Sequence, residues 1–416
     1  MILVPIIIIC AYIYLFGVNV PFLDEWTVFP LLDKFYSSHL TLADLYLQHN
    51  ESHLFFPQMI IVAMAAFTQY NLKDEMWVSF FTSVISFLVI TYIYFNKNNV
   101  TISSLIFFVP ISFLFFGLFQ FENIVMGFQL QVYLCVLGVI ASLFFIWRTG
   151  NIDLNFIMAI FFGVIATFSF FNGLLVWPIV FVYLMVNKKF KQSIIWAFFS
   201  VASYIVYFYG WAQTTGGPSM SYSLYNPATS ILYFIANTGA PSFPVDVYMA
   251  IIFGIVIILF YIASFALAIR DKSIEENLLW FSLILFSLGT SVLCMIGRSG
   301  FGVEQALSSR YTTFTILGII GVYAIFVNGY LKRDNRRMYK PILAALLGVI
   351  VIGLVIGNAY GLYEGKKTEN SRQGEVTLLN NYDNLTNSQA ITIYPDPAYL
   401  NGCVGIMKKY NITYGT

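Results

Sequence analysis

Charged residues are scarce in this chain. Only 10% of its 416 residues are Asp, Glu, Lys or Arg, whereas 59% are hydrophobic, and the mean hydropathy is +0.78. A soluble domain usually carries about 25% charged residues, so a soluble fold of this composition could not cover its surface. The net charge of +1 gives no basis for binding nucleic acid. Apolar runs of roughly 20 residues recur along the chain, which predicts a polytopic membrane protein.

Cysteine is also scarce. Cys10, Cys135 and Cys294 lie inside apolar runs, and only Cys403 lies in a polar segment, so the pattern does not indicate a disulfide framework. The first apolar run starts at Met1 without a basic segment before it or a small-residue cleavage site after it. This predicts a retained first helix rather than a signal peptide.

The apolar runs predict an all-α protein with about eleven membrane-spanning helices. The runs are at residues 2–19, 76–95, 101–119, 129–147, 154–170, 173–187, 193–211, 249–269, 278–296, 311–330 and 341–360. The apolar segment from Leu54 to Tyr70 is ambiguous, because counting it would give twelve spans. If it does not cross, twelve of the 21 Lys and Arg residues fall in five short loops on one side, as the positive-inside rule predicts for the cytoplasmic face. These residues are Lys97, Arg148, Lys188, Lys189, Lys191, Arg270, Lys272, Lys332, Arg333, Arg336, Arg337 and Lys340. We therefore expect an interfacial or re-entrant helix there.

This topology places the N-terminus inside and the C-terminus outside. It gives a membrane domain at residues 1–360, a long first outer loop at residues 19–75, and a small extracytoplasmic segment at residues 361–416. Within the tail, Ile391 to Tyr394 predicts a short strand, Pro-Asp-Pro a turn, and Tyr399 to Tyr410 an amphipathic helix. We expect this tail to pack on the outer face as a cap.

Ionisable residues collect on the predicted outer side, each beside a helix end. They are Asp24, Glu25, His49, Glu51, His53, Glu122, Arg298, Glu304 and Arg310. Ionisable groups at this depth cost several kcal/mol unless they are paired or solvated, so they indicate a functional cavity.

The three histidines of the chain, His39, His49 and His53, all lie in the first outer loop. In the segment HNESH, His49 and His53 would share one face of a helix, where they could hold a metal, whereas His49, Glu51 and His53 would line one face of an extended segment. The spacing does not match the His-Glu-x-x-His pattern of zinc proteases. Substrate hydrogen bonding by His53 and Glu51 is favoured, and the alternative is a loop whose histidines face water.

Two further outer segments carry charges of opposite sign. Asp24 and Glu25 follow Pro21, which ends the first helix, and they form either an acidic pair containing a general base or a solvated helix end anchored by Trp26. Arg298 and Arg310 present planar donors suited to phosphate or carboxylate. The alternative role for Arg310 is an ion pair with Glu304 that braces the loop.

Six segments occur along the chain in this order: DEW, HNESH, ENIVMGFQ, NGLLVWP, GRSGFGVEQALSSRYTTF and IYPDPAYLNGCVGIMKKYNI. Together they resemble bacterial membrane glycosyltransferases of the GT-C superfamily. Within that superfamily, they are most similar to phage-linked glucosyltransferases that modify O-antigen and convert serotype. The resemblance covers most of the chain. It departs from the related pattern HNEHR, because Leu54 follows His53 where that pattern has arginine.

The resemblance implies an enzyme of the bacterial inner membrane with its active site on the periplasmic face. The donor would be a polyprenyl-phosphate hexose, with glucose expected, and the acceptor a lipid-linked glycan such as O-antigen. Implied partners are membrane lipids, a small flippase and a polyprenyl-phosphate glucosyltransferase acting on the cytosolic face. Nucleic acid is not expected as a partner.

The resemblance implies an essential acidic residue in the first outer loop, which fits Asp24 or Glu25, and the chemistry of sugar transfer suggests roles for the other residues. Asp24 would be the general base, with Glu25 and Glu51 as further catalytic candidates that orient the acceptor. Arg298, Arg310 and His53 would bind the donor phosphate. The expected substrate-binding residues are Trp26, His49, Glu122, Gln129, Asn172 and Glu304. No cofactor is assigned, and a divalent cation held by Asp24 and Glu51 is left open.

Three rival functions fit the same composition. A transporter or lipid flippase would place ionisable residues near the membrane midplane, whereas here they gather on one face. A polysaccharide polymerase or ligase shares the outer arginines but not the acidic first loop. A non-catalytic assembly subunit would tolerate single replacement of the outer charges.

Overall fold

The computed structural model describes residues 1–214, 216–332 and 336–415, and this part of the chain is almost entirely helical. The helices are α1 (Val4–Phe16), α2 (Phe29–Tyr36), α3 (Leu42–Leu45), α4 (Phe55–Thr68), α5 (Leu72–Asn98), α6 (Ile102–Phe115), α7 (Phe121–Ile124), α8 (Leu130–Arg148), α9 (Leu154–Thr167), α10 (Val176–Val186), α11 (Phe190–Phe208), α12 (Tyr222–Tyr225), α13 (Pro227–Gly239), α14 (Val247–Arg270), α15 (Ile274–Arg298), α16 (Ser309–Lys332), α17 (Arg336–Asn380), α18 (Asn387–Ile393) and α19 (Pro397–Tyr410). Short 3₁₀ helices lie at Leu23–Val28, Leu118–Gln120, Gly127–Gln129, Phe171–Leu175, Ser299–Phe301, Val303–Leu307 and Tyr382–Asn384. A two-stranded hairpin pairs β1 (Gln48–His49) with β2 (Ser52–His53).

Seven helices of the described residues are long and apolar enough to cross a membrane. They are Leu72–Asn98, Ile102–Ile124, Gly127–Arg148, Val247–Arg270, Ile274–Phe301, Ser309–Lys332 and Arg337–Asn380. Each of the eleven predicted runs coincides with a helix, but α1, α9 and α10 are short, and α11 is not among the seven. The structure therefore agrees with an all-α, multi-pass membrane protein, and the count of eleven spans stays a prediction.

The ambiguous segment of the first outer loop forms the 14-residue helix α4. At 1.5 Å per residue it is about 21 Å long, which is less than the roughly 30 Å of a bilayer core. Gln69 ends α4 in the left-handed conformation, and Asn71 caps α5 through a hydrogen bond from the Lys73 amide. This length is consistent with the predicted interfacial helix.

Basic residues of different predicted inner loops meet at one end of the bundle. Lys97 donates to the Glu276 carbonyl, and the Lys332 ammonium lies 2.9 Å from the Glu276 carboxylate. Lys189 donates to the Thr149 carbonyl at 2.7 Å. Of the other predicted inner residues, Arg333 and the side chain of Arg336 lie outside the described part of the chain. We call the opposite end, which carries Asp24, the outer end.

Helix α16 forms the centre of the bundle, with every residue from Thr312 to Gly329 buried. Close packing around it depends on Gly318, where a Cβ would lie 2.3 Å from the Tyr261 hydroxyl and 2.6 Å from the Ser287 Cβ. Helices α15 and α16 are joined by a short loop at the outer end. This connection brings Arg298, in the last turn of α15, close to Arg310, in the first turn of α16.

Two features of the C-terminal segment bear on its predicted organisation. Helix α17 runs without a break across the predicted boundary at residue 360, where ion pairs of Lys366 with Glu369 and of Lys367 with Glu364 support it. The predicted strand at Ile391 to Tyr394 is wrong. Its residues mostly belong to α18, which a capping box at Thr386 initiates, because this cap satisfies the first free amides of a helix.

The predicted terminal helix is present as α19, and Asp396 caps it. It packs on α2 in the first outer loop: Asp33 accepts from Lys409 and from the Tyr410 hydroxyl, both at 2.8 Å. The Gly415 amide donates to the Asn19 carbonyl at 2.7 Å. The tail therefore covers the back of the loop that carries Asp24.

Candidate active site

Asp24 and Glu25 point in different directions because they lie in a 3₁₀ turn. The Glu25 carboxylate turns inward and accepts from the Phe22 amide at 2.9 Å and the Phe128 amide at 3.4 Å. Leu23 starts the turn with a φ of 48°, a strained conformation for a leucine. Asp24 is left half-buried and faces the outer end, where it meets His49 and Arg310.

The segment HNESH forms neither a helix nor one extended strand. Strands β1 and β2 pair His49 with Ser52, so Asn50 and Glu51 form a two-residue turn, with Asn50 at a φ of 49°. The Glu51 carbonyl accepts from the Tyr207 hydroxyl at 3.0 Å and the Trp211 indole at 3.1 Å. These hydrogen bonds hold the backbone of the turn from which the Glu51 carboxylate projects.

Two arginines and three carboxylates meet at the outer end. Arg298 Nη2 lies 2.6 Å from Glu51 Oε2. Arg310 Nη1 lies 3.7 Å from Asp24 Oδ2, and Arg310 Nε lies 3.8 Å from Glu122 Oε2. His49 Nε2 lies 3.8 Å from Asp24 Oδ1. The ion pairs of Arg310 are therefore with Asp24 and Glu122 rather than the alternative partner Glu304.

These groups line two adjoining cavities. The polar cavity encloses about 470 Å³ of space open to solvent, and its lining includes Asp24, His49, Glu51, Gln129, Gln131, Arg298, Arg310 and Tyr311. The apolar cavity, of about 630 Å³, is lined mainly by Phe170, Phe171, Met220, Leu293, Ile296 and Asn172. Glu51, Arg298 and Tyr311 line both cavities. A charged compartment therefore adjoins an apolar one.

The surroundings of the two acidic residues move their pKa values in opposite directions. Burial by itself would raise the pKa of Asp24, but the hydrogen bond and charge of His49, together with Arg310 and Arg298, outweigh burial and lower it below its ordinary value. Complete burial raises the pKa of Glu25 to about 7, despite the charge of Arg372 and the amides that it accepts from. Asp24 is therefore the carboxylate kept ionised and within reach of the cavity.

The structure does not bring every predicted site residue into the cavities. Glu25 and Trp26 are completely buried. His53 is 4% exposed and stacks on Tyr46, with its Nδ1 2.8 Å from the Tyr46 carbonyl. Glu304 is exposed, and Glu122 lines neither cavity but contacts Arg310. A functional role for each of these residues stays a prediction.

Two contributing residues were not among the predicted site residues. Tyr311 lines both cavities, and its only sequence signal was its position directly after Arg310. Arg372 is 1% exposed, donates to the Val125 carbonyl and lies over the Phe22 ring at 4.7 Å. Arg372 lies in a polar stretch of the sequence that resembles a solvent-exposed tail, so no sequence signal indicated that its side chain is buried.

The described residues contain no group of three or more His, Cys, Asp or Glu side chains placed to hold a metal ion. The carboxylates of Asp24, Glu51 and Glu122 instead have arginine partners. The two guanidinium groups therefore balance part of the negative charge of these carboxylates.

Comparisons with protein-family models, with curated proteins and with solved structures give no match to this chain.

Proposed function

We propose that this protein is a membrane glycosyltransferase that moves a hexose, glucose being the expected one, from a polyprenyl-phosphate donor to a lipid-linked surface glycan such as O-antigen. The observation that carries the proposal is the junction of the two cavities at Arg298. A donor of this class has a sugar and a phosphate joined to a long apolar chain. The polar cavity suits the sugar and phosphate, and the apolar cavity suits the start of the chain.

The charges suit a single displacement with one base and one leaving group. An acceptor hydroxyl oxygen bonds to the anomeric carbon while the bond from that carbon to the phosphate oxygen breaks. Asp24 takes the hydroxyl proton. The bonding electrons leave with the phosphate, whose growing charge Arg310 and Arg298 stabilise. The product is an inverted glycoside and a free polyprenyl phosphate.

The position of the charges supports an enzyme over a transporter. Arg298 is in the last turn of α15 and Arg310 in the first turn of α16, while Asp24 lies in the loop after α1. Transporters commonly bind their substrates near the membrane midplane. We place the site at the periplasmic face of a bacterial inner membrane, because it lies at the end of the bundle opposite the basic inner loops.

The test is Asp24→Asn in membranes supplied with a polyprenyl-phosphate hexose and extracted lipid-linked glycan, followed by mass spectrometry at matched protein levels. The variant should lose about 10²–10⁴-fold in transfer rate, the usual contribution of a general base. The matched control is Asp246→Asn, since Asp246 only caps α14 and asparagine caps a helix equally well.

Normal transfer by the Asp24→Asn variant would exclude Asp24 as the base. A wild-type protein that transfers nothing from any lipid-phosphate sugar would refute the proposed function and favour a transporter or a polysaccharide polymerase.

A further inference from the structure

Two glutamine side chains of the polar cavity take no part in the proposed proton transfer or phosphate binding. Gln129 ends the 3₁₀ helix Gly127–Gln129, and Gln131 lies in the first turn of α8. Both side chains line the polar cavity, although they are only 2% and 5% exposed. Gln129 is one of the expected substrate-binding residues, and Gln131 has no role assigned so far. A buried amide group costs free energy unless it has hydrogen-bond partners, so the partners of these two amides matter.

The two amides are incompletely paired. Gln131 Nε2 lies 3.5 Å from Gln129 Oε1, which is at the long limit of a hydrogen bond. Gln131 Oε1 accepts no hydrogen bond within the described residues, and it is not among the unpartnered atoms that protein encloses, so it is open to the cavity. Gln129 Nε2 has only the Met126 sulfur, at 3.6 Å, which is a weak acceptor. The linked pair therefore leaves one free acceptor and one weakly occupied donor.

The segment that carries the glutamines is docked on the turn that presents Asp24. The Phe128 ring, next to Gln129, packs edge-on against the His49 imidazole with the ring centroids 5.0 Å apart. His49 in turn lies 3.8 Å from the Asp24 carboxylate. The Phe128 amide also donates to Glu25 at 3.4 Å. These contacts hold the two glutamines in a fixed position in the cavity where the candidate base acts.

The free groups of the glutamine pair match the sugar of the proposed donor and no other part of it. A hydroxyl group both donates and accepts, so it can donate to Gln131 Oε1 and accept from an amide N–H. The oxygens of a phosphodiester only accept, and an isoprenoid chain does neither, so neither can pair with Gln131 Oε1. The hexose is joined directly to the phosphate that Arg298 and Arg310 would bind. It must therefore lie in the same cavity as the glutamines.

We propose that Gln131, together with Gln129, binds one hydroxyl of the transferred hexose and so determines which sugar the protein accepts. The proposal rests on the proposed glycosyltransfer function, because that function places the donor sugar beside Asp24. A donor that lacks this hydroxyl would leave the buried Gln131 amide unpaired. Sites built to bind a hydroxyl strongly reject analogues without it for this reason.

The experiment measures kcat/KM of the full-length protein in nanodiscs with polyprenyl-phosphate glucose and with each of its monodeoxy analogues. Wild type should lose about 10–100-fold for one analogue, the one without the hydroxyl that Gln131 binds. Gln131→Met removes the amide at nearly constant volume. This variant should use glucose about tenfold less well and should no longer discriminate against that analogue. Its losses for the other analogues should match those of wild type, and Gln129→Met should act on the same analogue.

Gln192→Met is the matched control. Gln192 is also a buried glutamine, 6% exposed, and its Nε2 has no partner within the described residues. It lies in the first turn of α11 and lines neither cavity. Its replacement should leave kcat/KM for every donor unchanged. Size-exclusion profiles and the Tm check that all variants fold.

Three results would overturn the proposal. The first is equal use of all monodeoxy donors by wild type, and the second is a wild-type pattern of losses in Gln131→Met. The third is an effect of Gln131→Met that appears with deoxygenated acceptor glycans instead of donors, which would assign Gln131 to the acceptor.

Binding of the same donors, measured by native mass spectrometry, separates this proposal from the proposed function. Wild type that transfers nothing, but binds glucose donor more tightly than one analogue, would refute the transferase function. Hexose recognition by Gln131 would stand in that case if Gln131→Met abolished the difference in binding. Hexose transfer with an unchanged pattern of losses in Gln131→Met would retain the transferase function and refute the role of Gln131.

Discussion

The pH dependence of transfer separates Asp24 from Glu25 as the general base, because their surroundings move the two pKa values in opposite directions. A general base must be ionised to accept the proton. Glu25 has its pKa raised to about 7 by burial, whereas His49, Arg310 and Arg298 lower the pKa of Asp24 against the effect of burial. The dependence of the transfer rate on pH below about 7 therefore shows which carboxylate is the general base.

The size of the difference follows from the fraction ionised. A base with a pKa of about 7 is about 1% ionised at pH 5, so the rate would fall about 100-fold between pH 9 and pH 5 if Glu25 acted. Even an aspartate with an ordinary pKa of about 3.9 is more than about 90% ionised at pH 5, and the lowered pKa of Asp24 increases this fraction. We expect kcat/KM to change by less than about twofold between pH 7 and pH 5.

The assay is the initial rate of hexose transfer at subsaturating donor, from pH 5 to pH 9 at constant ionic strength. The profile is repeated with His49→Gln, which removes the imidazole that faces Asp24. Asp24 would be refuted as the base if the transfer rate is half-maximal near pH 7 in wild type and in His49→Gln, and if this pH dependence is absent in Glu25→Gln. That result would also mean that the Asp24 loop rearranges when substrate binds.

Two further predictions concern stability. Gly173→Ala should destabilise the protein by about 2–4 kcal/mol, because the added Cβ would lie 1.9 Å from the Ala166 carbonyl oxygen. The measurement is the Tm, which should fall. Gly150→Ala is the control and should leave the Tm unchanged, because a Cβ there would have no atom within 4 Å. Arg298→Gln and Glu51→Gln should couple by about 1–2 kcal/mol in a double-mutant cycle of thermal unfolding, since the pair is partly buried at 2.6 Å. Additivity within about 0.3 kcal/mol would show that the ion pair contributes nothing.

The helical fold, and the grouping of predicted inner basic residues at one end of the bundle, could be predicted from the sequence because both depend on local patterns. Apolar runs predict helices wherever they occur. Lys97 and Lys332, which were predicted to lie in loops on the same side, both contact Glu276. Arg298 and Arg310 flank one short loop, so their proximity followed from chain connectivity. The short strand predicted at Ile391 failed because the capping box at Thr386 outweighs the β propensity of the isoleucines and threonine.

The direction of each side chain in the first outer loop could not be predicted. Glu25 and Asp24 are neighbours, and which one faces the cavity depends on the Phe128 amide, more than a hundred residues away. His53 and His49 differ in the same way, since a two-residue hairpin sends one to Asp24 and the other to Tyr46. No periodicity predicts a tight hairpin in a segment this short.

The loop that carries Asp24 is held by the C-terminal segment as well as by its own neighbours in sequence. Arg372 donates to the Val125 carbonyl and its charge acts on the buried Glu25, while Tyr399 and Cys403 hold the Trp26 carbonyl. The charge of Arg372 reduces the cost of burying the Glu25 carboxylate, which also accepts from the Phe22 and Phe128 amides. Since Glu25 and Trp26 lie in the turn that presents Asp24, the C-terminal segment helps to hold the candidate base in place. The tail is therefore part of the structure that supports the candidate site.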